Sequence, residues 1–178
     1  MHLIRQAGVT MIELMIVVTI AAIMATMAAP SFNDFIKNTR LTSAMSLLTG
    51  DLNRARGEAI KRNIRILVCS HAINGTDCAN SSWNNGWLVC YDNNPQDGLC
   101  DDDPADGSNP NPMIIRPALS NQLSLNATVT ATGAAISTIQ FNPNGTVAIP
   151  TTLALCCKAG SVSASSAVIA ATGNISRK

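Results

Sequence analysis

Aromatic residues supply only 3% of this 178-residue chain, and charged residues only 13%. Any core must therefore be filled by small and β-branched side chains, not by stacked rings. Histidine is limited to His2 and His71. No serine or threonine has a histidine placed beside it with an acid to orient the ring, which excludes nucleophilic-triad chemistry. His71 lies close to Cys69, but an exposed loop histidine is a plainer reading than a thiol–imidazole pair. None of the six cysteines belongs to a Cys-x-x-Cys pair, and neither histidine completes a zinc site. The chain thus reads as no enzyme, with no metal, no cofactor and no small-molecule substrate. Net charge is +1, which gives no global pull towards nucleic acid or anionic membranes. What remains is a 47% hydrophobic chain, enough for one domain with a core of ordinary size.

That hydrophobic share is uneven. An apolar run extends from Val9 to Pro30, and a single carboxylate, Glu13, lies near its start. A charge inside such a segment is costly unless it finds a partner, which marks it as functional. A plain membrane anchor accounts for the run but not for Glu13 or Gly8. In a secretory signal the small residues of the cleavage site follow the apolar stretch. Here the small residue, Gly8, precedes it, so a cut after Gly8 leaves the apolar segment on the mature chain. Gly8-Val-Thr-Met-Ile-Glu-Leu14 resembles the type IV prepilin leader junction; Val9 and Met11 depart from its commonest residues but stay apolar. The resemblance implies cleavage between Gly8 and Val9 by prepilin peptidase, N-methylation of Val9, and roles in assembly for Glu13 and Pro30. It also implies that Glu13 pairs with the Val9 amine of an adjacent subunit and so fixes axial register. The expected division is a leader, 1–8, an apolar helix, 9–36, that anchors in the membrane and then forms filament core, and a globular head, 37–178.

Past Pro30, Phe32, Phe35, Leu41, Ala44, Leu48, Leu52, Ala55 and Ala59 recur at steps of mostly three and four, the spacing of one apolar helical stripe. A helix is expected from Met11 to about Asn63, kinked at Pro30, with Arg54 and Glu58 four apart and able to pair. After Asn63 the period shortens. Strands are expected at 64–69, 86–91, 123–130, 136–141, 145–149, 152–156 and 161–172, with Asn142-Pro-Asn-Gly145 as a hairpin turn. The fold class is α+β, a long N-terminal helix packed on an antiparallel β-sheet head.

An even number of cysteines outside the membrane reads as disulfides in an oxidising compartment, although sequence alone does not choose their pairing. The local loops Cys69–Cys78 and Cys90–Cys100 are preferred. Cys156 and Cys157 are adjacent and point to opposite faces of a strand; a vicinal bridge, or a bond from one of them to an earlier cysteine, stays open. Residues 92–112 carry Asp92, Asp97, Asp101, Asp102, Asp103 and Asp106. They offer oxygen ligands for calcium, but neither acidic stretch fits EF-hand spacing, and a solvated acidic loop is the preferred reading.

Leu52-Asn-Arg-Ala-Arg-Gly-Glu-Ala-Ile-Lys-Arg-Asn63 with Ile-Arg-Ile-Leu-Val-Cys69, then Trp83-Asn-Asn-Gly-Trp-Leu-Val89, then Phe141-Asn-Pro-Asn-Gly145 resemble, in that order, the FimT/FimU branch of minor pilins. That branch shares its domain with the GspH-type pseudopilins. The resemblance implies a type IV pilin-like fold, with other pilins and minor pilins as partners. It implies residence in the bacterial inner membrane, head in the periplasm, before assembly into a filament or its tip. The role implied is structural, in pilus assembly, priming or a tip subcomplex. The alternatives are a DNA-binding minor pilin for natural transformation and a type II secretion minor pseudopilin. DNA-binding members often end the last strand with Gly-Arg-x-Arg. The matching segment is Gly173-Asn-Ile-Ser176, so the cations are displaced to Arg177 and Lys178, with Lys158 as a third candidate. That footprint is thin for phosphate neutralisation, and DNA takes second place.

Overall fold

Thr10 starts the first helix. Its hydroxyl accepts a hydrogen bond from the Glu13 backbone N–H at 3.3 Å, and its carbonyl accepts from the Leu14 N–H at 3.1 Å. Those two bonds make it an N-cap. The computed structural model describes residues 8–93, 98–101, 112–157 and 164–178, and only the backbone of 27–31. Its helix α1 runs over Met11–Arg62. Pro30 removes one backbone donor without ending it. Asn63 then takes the left-handed conformation, φ 56°, that closes a helix C-terminus, and Lys61 and Arg62 place positive charge in the last turn.

The chain forms two compact units, Met1–Ile36 and Lys37–Lys178. In the first, Met11, Leu14, Val18, Ile20, Ile23 and Met24 are all exposed, so apolar surface surrounds the helix. The single-pass span expected over 9–36 is not found as a whole: among the described residues no helix is long and apolar enough to cross a membrane. The described apolar side chains stop at Thr26, whereas a bilayer requires about 20 residues.

In the second unit the apolar stripe of α1 becomes a core face. Leu41, Ala44, Met45, Leu48, Leu52, Ala55 and Ala59 are buried. Phe32 and Phe35, assigned to the same stripe by spacing, are exposed; they belong to the first unit and precede the sheets. Among the described residues the head holds two four-stranded antiparallel sheets, not one. The first, in the order β3-β2-β1-β5, contains β1 (Arg65–Ser70), β2 (Trp87–Asp92), β3 (Ile114–Ile115) and β5 (Thr138–Phe141). The second, in the order β4-β6-β7-β8, contains β4 (Leu123–Val129), β6 (Thr151–Cys157), β7 (Ser165–Ile169) and β8 (Ile175–Arg177).

Leu125 pairs with Leu155, and Leu153 with Ala167. These residues join the helix stripe in one core, with alternating side chains turned out to solvent. The first sheet is covered on both faces. Ile66, Val68, Val89 and Tyr91 belong to the main core, while Leu67, Cys69, Leu88 and Cys90 form a second, smaller core.

Two strand expectations are corrected, and one strand, β3, was not expected. Residues 145–149 make an isolated bridge, Phe141 with Val147, not a strand, because Val147 N–H turns away to the Ala171 carbonyl at 3.1 Å. The two-residue β3 between Pro112 and Pro117 is too short to show a period. The expected strand 161–172 stops at Ile169, and β8 returns after a turn; residues 161–163 lie outside the described residues.

Gly173 sets that turn with φ 74°, and a Cβ there would overlap the Gly145 carbonyl oxygen. Gly173→Ala therefore forces two backbones apart in addition to imposing a left-handed alanine. We expect a loss of about 2 kcal/mol in unfolding free energy, measured by urea denaturation of the wild-type and variant chains. A loss below about 0.5 kcal/mol, the usual scatter of a neutral surface change, defeats this account.

Candidate functional site

Two regions carry the residues singled out by sequence. At the N-terminus, Gly8 and Val9 lie in exposed, non-helical backbone ahead of α1. Glu13 follows in the first helical turn, also exposed. Thr10-Met-Ile-Glu13 has capping-box spacing, and the hydroxyl half of that box is made. An acid in the first turn also suits the positive end of the helix dipole. Glu13 thus has a local role in starting α1, distinct from any pairing with another chain. Pro30 is inside the helix, and its side chain lies outside the described residues.

The head contains the three matched stretches, and each proves to be a joint. Trp83–Asn85 forms a single 3-10 turn. Trp83 Nε1–H donates to the Ile136 carbonyl at 2.7 Å. Asn84 Oδ1 accepts from the Leu125 N–H of β4 at 2.8 Å, which ties the first sheet to the second. Gly86, φ 104°, lies so close to the Arg116 carbonyl that no Cβ fits. Arg56, on α1, donates through Nε to the Gly145 carbonyl at 3.0 Å and through Nη2 to the Thr172 carbonyl at 3.1 Å. The Asn142-Pro-Asn-Gly145 turn, closed by Gly145 N–H to the Asn142 carbonyl at 2.8 Å, is therefore held by the helix.

Sequence reasoning missed the most buried of these joints. Asp51 is 4% exposed on the core face of α1. Arg116 grips it with both arms, Nε to Oδ2 at 2.8 Å and Nη2 to Oδ1 at 2.9 Å. Trp87 Nε1–H adds a third bond to Oδ2 at 3.0 Å. The hydrogen bonds that Arg116 donates to Asp51 hold its guanidinium above the ordinary arginine range; burial opposes this and the charge attraction adds to it. The available signal was positional: Asp51 is three residues past Leu48, on the stripe itself. Beside it a groove of about 430 Å³ runs along Ala44, Leu47, Trp87, Pro117 and Leu123 and is almost wholly apolar. It brings no acid, base and nucleophile together.

The model of the type II transport protein GspH family matches residues 44–173, and that of the prokaryotic N-terminal methylation motif matches residues 3–29. The chain belongs to the GspH family. The family is one of pilin-like structural proteins, not of enzymes. The methylation motif implies processing by prepilin peptidase, and members of the pilin family assemble with other pilins.

Two crystal forms of the Pseudomonas aeruginosa PAO1 type IV minor pilin FimU share this fold. One has TM-score 0.55 and 20% identity, over 81% of this chain and 92% of that one. The other has TM-score 0.52 and 21% identity, over 78% and 92%. Type IV major fimbrial protein FimA of Dichelobacter nodosus is 49% identical over 45 residues, 25% of this chain. The GspH-family chain thus spans only 28% of the length of that relative.

The cysteines of this GspH-family head divide cleanly. Cys69 is bonded to Cys78 and Cys90 to Cys100; Cys156 and Cys157 are free and half-buried at the end of β6. His71 is buried, not exposed in a loop, with Nδ1 2.6 Å from the Ala72 carbonyl and Nε2 2.9 Å from the Arg116 carbonyl. Glu58 pairs with Arg62 at 2.8 Å instead of Arg54, the favoured order being acid before base along the helix.

Of the acidic loop, Asp92 is buried against Arg65 at 3.1 Å, and Asp101 accepts the Asn93 N–H at 2.7 Å. Asp97, Asp102, Asp103 and Asp106 lie outside the described residues, as does Lys158. Arg177 and Lys178 are exposed. Arg177 sits on edge strand β8 and donates to Ser46 Oγ at 3.3 Å.

Proposed function

We propose that this chain is a minor type IV pilin that takes part in pilus assembly, as a priming or tip subunit. It waits in the bacterial inner membrane with its head in the periplasm. The observation that carries the reading is the stretch 11–26 of the first unit: apolar on every side, exposed throughout and bearing one carboxylate, Glu13. Surface of that kind needs either lipid or other apolar helices around it. In sequence the apolar run continues through Met27, Ala28 and Ala29, which brings it close to the length a bilayer requires. Within a filament the neighbours are helices, and a carboxylate among them needs a partner. The terminal amine of Val9 on an adjacent subunit has the right sign and, after cleavage, the right place. Pro30 would act with Glu13 in this assembly.

The pilus reading is preferred to a type II secretion pseudopilin because a 45-residue likeness runs to a fimbrial protein, FimA. DNA binding is third in support. Arg177 and Lys178 are two adjacent cations, and one of them already donates to Ser46, whereas useful phosphate affinity needs several such contacts.

Protein recovered from membranes of cells that express prepilin peptidase tests the reading. N-terminal sequencing should begin at a methylated Val9, and Gly8→Leu should leave the longer, uncut chain. A mature wild-type chain that still begins at Met1 overturns the proposal.

A further inference from the structure

We propose that Cys69, Cys78, Cys90 and Cys100 form a redox-gated thiolate site, closed as two disulfides and open, once reduced, to one divalent cation of the zinc class. The four sulfurs lie within 4.8 Å of one another. Cys78 Sγ is 3.6 Å from Cys100 Sγ and 3.9 Å from Cys90 Sγ, contacts that cross from one bridge to the other. A tetrahedral zinc tetrathiolate, with bonds of about 2.3 Å, sets its sulfurs about 3.8 Å apart. The two contacts that Cys78 makes across the bridges already have that spacing, and the remaining sulfurs lie within 4.8 Å, so the main movement required is separation of the bonded partners.

The decisive point is that the sulfur bonds are not what brings the four residues together. Cys69 and Cys90 are fixed by the β1–β2 ladder, where Cys69 pairs with Leu88 and Leu67 with Cys90. Cys78 is followed by Ala79, whose N–H donates to the Ser70 carbonyl at 2.9 Å, while Ser70 Oγ donates to the Ala79 carbonyl. Cys100 is followed by Asp101, whose N–H donates to the Tyr91 carbonyl at 2.8 Å. Asp77 Oδ1 accepts from both the Cys78 N–H, at 2.7 Å, and the Cys100 N–H, at 3.3 Å. Both loops therefore stay on the sheet face when the bridges open.

Leu67 and Leu88 close the inner side of the cluster. Cys78 and Cys100 are half-buried, which leaves reductant and metal an approach from solvent. Soft thiolates in a tetrahedral set suit zinc, cobalt and cadmium over magnesium or calcium.

The chemistry balances. A phosphine gives two electrons to each disulfide, takes oxygen from water to become its oxide, and leaves two thiols. Four thiols then release four protons to buffer as the cation takes four thiolates.

The test uses the full chain in detergent micelles, with Cys156→Ser and Cys157→Ser to remove the other thiols. After phosphine reduction, titration with Co²⁺ should give one equivalent bound, with thiolate charge-transfer absorption and the intense visible bands of tetrahedral cobalt. Added Zn²⁺ should bleach them, the unreduced chain should show none, and Cys78→Ser should lose the tetrahedral spectrum. If reduction unfolds the head, Zn²⁺ should restore the near-ultraviolet circular dichroism of Trp83 and Trp87. Absence of Co²⁺ binding, a weak octahedral spectrum, a Cys78→Ser chain that behaves like its parent, or an unfolded chain that Zn²⁺ does not restore overturns the proposal.

Discussion

Asp51→Ala should lower the unfolding free energy of the head by about 3 kcal/mol and its melting temperature by roughly 10 °C. The reason is what the carboxylate leaves behind. Trp87 would keep a buried indole N–H with no acceptor, at a cost of about 1–3 kcal/mol. Arg116 would lose both hydrogen bonds of its fork; because its side chain is 35% exposed, water recovers part of that loss. Asp51→Asn keeps one acceptor oxygen and nearly the same volume, so about half the effect is expected. Urea unfolding of wild type and both variants separates the cases, and equal, small losses for both would discard the joint. Stability tied to the raised Arg116 group is present below the ordinary arginine range and is lost only as pH climbs through it. The joint should therefore hold unchanged from neutral to about pH 10.

The second large effect concerns Glu13. Glu13→Ala and Glu13→Gln should each leave leader cleavage intact, yet reduce the amount recovered in sheared filaments at least about a hundredfold. That ratio corresponds to about 3 kcal/mol, the scale of an unpaired charge in a buried pair. The glutamine variant makes the experiment informative. Glutamine serves at this position of a capping box as well as glutamate, so it preserves the start of α1 while removing the charge. If Glu13→Gln assembles normally and only Glu13→Ala fails, Glu13 acts through the Thr10 cap and the pairing with a neighbouring amine is wrong. Immunoblots of filament and membrane fractions read both outcomes.

The parts legible in the sequence were those with local causes. A helix from Met11 to Arg62 follows from the apolar run at its start and from the spacing of Leu41, Ala44, Leu48, Leu52, Ala55 and Ala59 further on. The turn at Asn142–Gly145 follows from residues that tolerate tight or left-handed backbone. What escaped was non-local. Asp51 reads as solvated until Arg116, 65 residues away, is known to reach it. His71 reads as a loop residue until the Arg116 carbonyl is found beside it. The strand after Ser161 seemed to run on because a single glycine, Gly173, is a weak mark of reversal. That glycine is required by its contact with Gly145, which no window of local sequence contains.

The seating of α1 within the head has a mechanical consequence. Tension that enters the head along this helix meets Leu41, Met45, Leu48, Leu52, Ala55 and Ala59, all seated in the same core, together with the Asp51 and Arg56 bonds to the loops. These contacts are loaded side by side in shear, so they must yield together and not one after another like the teeth of a zip. The head portion of α1 is thus built to stay seated when it is pulled along its length.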